Sequence, residues 1–302
     1  MRDVKEMAPS AERRVAVVTP SFARDFVLCR ELNESVLRFF SPPTKHYIVV
    51  DGRDLRMFAV LKNDRTIVMA VEDVIPKGYF KLPLVKKWWF STPAMRPAKG
   101  WLIQQIVKLS MPHVASEDVL VNVDSDVLFV RPVNPTLFVH GDKTRMYRLP
   151  RGVVSGMPHV KWHKNVCRLL DVPRDPLPTN EYVGNMISWD RRIVLETCAR
   201  MESVGRAPWH VAFSRGRLVS EYFAYGLYVD KVLGGDADRV WLDERSWCHT
   251  YWGPGPLPAA EVEGLVAGFR EDDVAFSIAG YTGTDPEVAR RATKLIIDRV
   301  SR

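Results

Sequence analysis

The stretch Val119-Leu-Val-Asn-Val-Asp124-Ser-Asp126-Val-Leu-Phe-Val-Arg-Pro132 constrains this chain more than any other. A mostly apolar run leads into two carboxylates one residue apart, and a second apolar run follows at once. Short apolar runs without strict alternation mark strands buried on both faces of a parallel sheet. At i and i+2 of extended chain, Asp124 and Asp126 are expected to project to the same side. Unpaired, they would repel each other and lose hydration, and a cation between them relieves both costs. Carboxylate oxygens are hard ligands, so the expected ion is Mg²⁺ or Mn²⁺, which share one or two protein carboxylates with substrate phosphates. An Asp-x-Asp by itself also occurs as a solvated turn. The apolar runs on both sides favour the metal reading.

The preceding sequence supplies the rest of such a sheet. Arg14 to Pro20 reads as a first buried strand, Ser21 to Phe40 as a helix closed by Pro42-Pro43, and Lys45 to Asp51 as a second strand. Thr66 to Val71 is a third. Strand, helix, strand at this spacing predicts a parallel α/β sheet, whose ligands gather at the carboxyl ends of the strands. Thr19, Ser21, Asp51 and Asp124 lie at those predicted ends. A helix is expected within Pro97 to Met111, carrying Gln104, Gln105 and Lys108. Beyond Pro132 the pattern loosens. Helices are predicted over Trp162 to Leu170, Arg191 to Met201, Val219 to Leu233 and Asp285 to Arg302, the last with Asp285 as N-cap before Pro286. Trp241 to Pro258 reads as a loop dense in aromatics, Gly and Pro. A soft division near residue 135 separates a nucleotide-type half, about 14–135, from an irregular half, 136–302, within one expected catalytic domain.

Composition narrows the function. With 302 residues, 46% hydrophobic and 26% charged, the chain is globular and large enough for a full core. No apolar run approaches a membrane span, and the charged Met1–Arg14 segment lacks the apolar region of a secretory signal, so cytoplasmic residence is expected. Cys29, Cys167, Cys198 and Cys248 are scattered, which argues against a zinc or redox motif. The excess of 43 Lys and Arg over 36 Asp and Glu suits polyanionic partners, but no nucleic-acid motif accompanies it.

The strand-helix-strand start followed by an apolar strand ending in Asp124-Ser-Asp126 resembles the GT-A fold of nucleotide-sugar glycosyltransferases. Gly100-Trp-Leu-Ile-Gln-Gln-Ile-Val-Lys-Leu109 and Ser220-Glu-Tyr-Phe-Ala-Tyr-Gly226 look like signatures of a bacterial branch associated with surface-polysaccharide synthesis. The likeness runs from about residue 14 to 280. It implies a Rossmann-type, mixed but mainly parallel sheet flanked by helices, with an irregular acceptor-side C-terminal half. It also implies that Asp126 binds Mn²⁺ or Mg²⁺ bridging a donor diphosphate, while Asp124 contacts the ribose or the metal. Thr19, Ser21 and Asp51 match the region that holds the nucleoside. Lys108 would reach a phosphate, or is a solvated helix lysine. Many metal-dependent members close the metal shell with a C-terminal histidine, and His249 is the matching residue, or else a packed one.

The remaining candidates come from the residues themselves. Glu221 is a lone acid among aromatics, a setting that raises a carboxyl pKa and suits a base taking a proton from an acceptor hydroxyl. Its bland alternative is a first-turn acid favoured by the helix dipole behind a Ser220 cap. Asp190 is the alternative base, or an ordinary helix cap. His159 and His163 have metal-ligand spacing, but without an intervening acid they read as a helix surface. Lys77 to Phe90 mixes cations with aromatics, which suits a membrane interface or a phosphate-bearing lipid acceptor, or a core-covering loop.

Together these point to a metal-dependent glycosyltransferase moving a sugar from a nucleotide-sugar donor, UDP-linked in the leading reading, to a carbohydrate or glycolipid hydroxyl. Peripheral contact with the inner face of a membrane is part of that expectation. A sugar-phosphate nucleotidyltransferase shares the layout, but the first strand runs into Thr19-Pro-Ser-Phe-Ala-Arg24 without the glycines of a phosphate loop. A non-catalytic carbohydrate-binding module is a third reading. Inversion or retention, and the identity of donor sugar and acceptor, are not legible.

Overall fold

In a computed structural model, residues 13–81, 88–90, 98–216, 218–235 and 238–301 are described. Residues 82–87 of the Lys77–Phe90 segment, which carried the membrane reading, lie outside them.

The strands that position the site are β1 (Val15–Pro20), β2 (Lys45–Val50), β3 (Thr66–Ala70), β4 (Val119–Asn122), β5 (Val127–Phe129), β6 (Lys143–Tyr147), β7 (Ile187–Asp190), β8 (Val240–Asp243), β9 (Cys248–Tyr251) and β10 (Ala275–Ile278). The main helices around them are α1 (Phe26–Phe39), α2 (Gly100–Ser110), α3 (His159–Leu170), α4 (Arg191–Gly205), α5 (Glu221–Leu227) and α6 (Pro286–Val300). The main sheet has the order β7-β4-β1-β2-β3, all parallel except β7, which runs antiparallel to β4. The mixed, mainly parallel sheet expected from the sequence is present.

Alternation along β1 shows why the sheet carries helices on both faces. Val15 and Val17 pack with Leu32 and Val36 of α1, whereas Ala16 and Val18 pack with Ile103, Ile106 and Val107 of α2 and with Trp189, Ile193 and Phe223. Both faces are apolar because both are covered, hence the unbroken apolar runs. The chain steps from β1 to β2 to β3 on one side and then places β4 on the other side of β1. That reversal opens a crevice at the carboxyl ends of β1 and β4, where ligands of open α/β sheets bind.

A small second sheet, β9-β10-β5, follows the crevice, with β10 antiparallel to β5 and parallel to β9. A third joins β8 to β6 in parallel. These two sheets correct the reading of Trp241–Pro258 as a loop. Its strands are only four residues each, too short for periodicity to reveal. α6 starts as expected, with the Asp285 carboxylate accepting from Glu287 N at 2.7 Å. α5 continues into a π-helical turn over Tyr228–Val232. Among the described residues, no helix is long and apolar enough to cross a membrane.

Candidate functional site

Asp124 and Asp126 sit in the turn joining β4 to β5, closed by Val127 N donating to Asp124 O at 3.2 Å. The expectation of two carboxylates on one side of extended chain is therefore corrected. The turn splays them into different surroundings. Asp124 is half exposed and lies 3.2 Å from Lys108 Nζ. Asp126 is held by Ser277 Oγ at 3.2 Å and by Gly280 N–H at 2.7 Å. Burial, reinforced by the charge on Asp124, pushes the Asp126 carboxyl up to about 6, and Asp25 adds to the effect. Asp25, on the turn before α1, went unnoticed in the sequence because nothing local sets it apart.

Lys108 is the centre of the arrangement rather than a solvated helix residue. Only 5% exposed, its ammonium lies 3.3 Å from Glu221 Oε1 and donates to Tyr222 OH at 2.8 Å, besides its contact with Asp124. Burial works against its charge, but Asp124, Tyr222 and Glu221 outweigh it and hold its pKa well above the ordinary value. One cation thus links the acidic turn to the carboxylate singled out 97 residues later in the chain.

Glu221 opens α5, whose N-cap is Ser220, with Phe223 N donating to Ser220 Oγ at 3.5 Å. The first-turn reading of this residue holds, since it begins a capped helix, and its carboxylate also faces the Lys108 ammonium. Its own N–H donates to Gln105 Oε1 at 3.1 Å. Burial raises its carboxyl pKa, and Lys108 pulls it back only in part. Gly226 ends the motif for a steric reason: a Cβ there would come within 2.3 Å of the Tyr182 ring.

The remaining sequence candidates are distributed differently. Ser21 accepts from Ser125 Oγ at 2.9 Å and so braces the acidic turn. Asp51, at the end of β2, accepts from Arg53 N and from the Lys81 ammonium. Thr19 is fully buried and bonds His46 Nε2 at 3.0 Å. The other ring nitrogen of His46 meets Asn33 Nδ2, and burial lowers the imidazole pKa to about 3, so this neutral network belongs to the packing of the sheet. Thr19 is thereby removed from the crevice.

Asp190 is the cap, not the base. Its carboxylate accepts from Arg192 N and Ile193 N and pairs with Arg13 at 2.7 Å. Burial opposes its charge, but Arg192 and Arg13 prevail and hold its pKa below the ordinary value. It pairs with Val119, the first residue of β4, so roughly five residues of extended chain, about 16 Å, separate it from Asp124.

His249 is not brought to the pair either. Ser277 of β10 turns toward Asp126, so its neighbour Phe276 faces the other way, as does His249, which is registered with Phe276 across the ladder. The imidazole stacks on Phe276 and its Nε2 donates to Leu265 O at 2.9 Å. Thr250, registered with Ser277, takes the side toward Asp126 and accepts from Asn185 Nδ2 at 3.1 Å. His159 and His163 are not a helix surface: His159 pairs with Glu181, and His163 is buried 3.8 Å from Asp175.

Among the described residues no three or more His, Cys, Asp or Glu cluster as a metal cage. The two carboxylates nevertheless fit an ion that draws its other ligands from phosphate and water. Asp126 is half-buried, no ion pair reaches it among the described residues, and Asp124 and Asp25 add to the negative field.

Residues 13–249 match a family of unknown function, DUF6492. No curated protein matches the chain. Three solved structures similar to it are glycosyltransferases. The WbbM bifunctional glycosyltransferase, without ligand, has 14% identity and a TM-score of 0.47 over 98% of this chain and 52% of that one. The chain therefore spans about half the length of that protein. Mouse xyloside xylosyltransferase 1, also without ligand, has 10% identity and a TM-score of 0.46 over 89% of this chain and 99% of that one. The galactosyltransferase LgtC, in complex with donor and acceptor sugar analogues, has 12% identity and a TM-score of 0.45 over 93% and 95%.

Proposed function

We propose that this chain, which belongs to the DUF6492 family of unknown function, is a metal-dependent glycosyltransferase using a nucleotide-sugar donor, with UDP as the first nucleotide to test. The observation that carries the reading is the Lys108 bridge, which sets Glu221 beside Asp124 at the mouth of the β1/β4 crevice. A carboxylate turn at that crevice suits a nucleoside diphosphate, and a buried acid beside it suits a hydroxyl acceptor.

Asp124 and Asp126 would hold Mg²⁺ or Mn²⁺, which when bound neutralises charge gathering on the diphosphate. Lys108 adds a fixed, buried cation beside Asp124. An acceptor hydroxyl attacks the anomeric carbon, the bond from that carbon to the phosphate oxygen breaks, and the diphosphate leaves with the electron pair. In an inverting reaction Glu221 Oε1 or Oε2 takes the hydroxyl proton; in a retaining one Glu221 orients the acceptor instead. On this reading residues 14–135 supply most donor contacts and residues 136–302 the acceptor side of one catalytic domain, with Ser277 and Gly280 as late contributors to the donor side.

Calorimetry with UDP, with and without Mn²⁺, tests the proposal on the wild type and on Asp126→Asn. Expected is metal-dependent binding in the wild type that the variant loses while its circular dichroism stays native. Equal binding by both proteins would remove the carboxylate turn from the site.

A further inference from the structure

α2 carries one face that the glycosyl-transfer reading uses only at its end. Trp101, Gln105 and Lys108 stand at i, i+4 and i+7, stacked along the same side of the helix. Lys108 meets the Glu221 carboxylate, and Gln105 Oε1 accepts from Glu221 N–H. Trp101 lies farther along, about 10 Å from Lys108 by helical rise. Its indole is 43% exposed and rests against Trp162, with ring centres 5.6 Å apart and planes 31° apart. Trp162 is fixed in turn by His159, stacked at 4.4 Å, and by the edge of Phe223 at 6.3 Å. His159 is locked by the Glu181 carboxylate, which also accepts from Tyr182 N and Val183 N. The outer indole is therefore held in water by a rigid stack.

A second observation points the same way. Gln105 is 1% exposed, and among the described residues its Nε2 has no hydrogen-bond partner. The amide cannot be turned over to mend this, because Glu221 N–H requires the oxygen where it stands. A buried donor left unpaired is costly and asks for an acceptor that the protein does not supply. It lies on the α2 face between the tryptophans and Glu221.

We infer that Trp101 and Trp162, with Gln105 and His159 beside them, form a carbohydrate subsite for a second ring of the acceptor. This rests on the glycosyl-transfer reading of Glu221. A pyranose has a flat C–H face and a rim of hydroxyls. Rigid aromatic rings take the face at small entropic cost, and a few fixed polar groups take the rim. With one ring at Glu221 and the next on the tryptophans, the acceptor is a glycan of two or more sugars rather than a monosaccharide. Gln105 Nε2 donates to an oxygen of that glycan.

The test measures binding separately from transfer. An array of immobilised mono-, di- and tetrasaccharides is probed with wild type, Trp101→Ala and Trp101→Tyr, while UDP and Mn²⁺ affinity is measured by calorimetry. The wild type should retain at least one di- or tetrasaccharide more strongly than its component monosaccharides. Trp101→Ala should lose about tenfold of that retention and Trp101→Tyr should restore most of it, with UDP affinity within twofold throughout. Equal retention by wild type and Trp101→Ala overturns the subsite, as does a wild type that binds UDP but retains no glycan. Trp101-dependent glycan retention without UDP binding supports the subsite and overturns the transferase reading.

Discussion

Replacing Lys108 by Met should produce an instability that depends on pH and is cured by a second substitution. The ammonium touches two carboxylates at nearly equal distance, 3.2 Å from Asp124 and 3.3 Å from Glu221. They are not equivalent in energy. The Asp124 side chain is 49% exposed, so screening limits that pair to at most about 1 kcal/mol. The Glu221 side chain is 5% exposed, and removing one partner of a buried pair costs about 3–5 kcal/mol because the other charge is stranded. Glu221 can escape by taking a proton. Its carboxyl pKa is already raised by burial, and losing the cation raises it further. A raised folded-state pKa on an acid leaves stability intact below the ordinary value of 4.5 and erodes it as pH climbs toward the folded value. Each unit of that climb costs up to about 1.4 kcal/mol. Urea unfolding should therefore show Lys108→Met close to wild type near pH 5 and about 3 kcal/mol less stable near pH 7.5. The double variant Lys108→Met/Glu221→Gln should recover most of the loss, leaving a large coupling term in the cycle. Equal losses at both pH values, or additive single effects, would refute the reasoning.

Glu221→Gln alone should slow transfer by about 10²-fold or more if the residue is the base, with UDP affinity near wild type; steady-state and binding measurements together separate the two effects. Asp190→Ala strips a helix cap and strands Arg13, so denaturation should register a loss of about 3 kcal/mol or more with little change in UDP affinity. Metal-assisted UDP binding should weaken as pH falls through about 6, because Asp126 takes a proton there and stops acting as a ligand. Affinity flat from pH 5 to 8 would contradict its place in the metal site.

What the sequence disclosed and what it hid follow a physical division. β1, β2, β4, the acidic turn and the Asp285 cap are local: runs of buried residues and short-range hydrogen bonds reveal themselves in neighbouring letters. Lys108 and Glu221 were each noticed, but their contact joins positions 113 residues apart, and only packing of α2 against α5 creates it. His249 shows a subtler limit. The residue type suited a ligand, yet a strand alternates faces with period two, and its pairing to Phe276 put Thr250 rather than His249 on the side of Asp126. Asp190 went the opposite way. The Trp-Asp-Arg string carried both a base and a cap reading, and the Arg13 contact that decides for the cap comes from the other end of the chain.

The grip of Ser277 and Gly280 on Asp126 has a consequence in time. The acidic turn leaves the ribosome about 150 residues before the groups that orient its second carboxylate. At ordinary synthesis rates that is a gap of roughly 8 to 30 s. During that gap β1, β2 and β4 are complete and free to pair, while Asp126 still lacks its two donors. The sheet can thus assemble early, but the ligand site matures only when β10 docks on β5. Nascent chains halted between those points would own a fold without a finished centre.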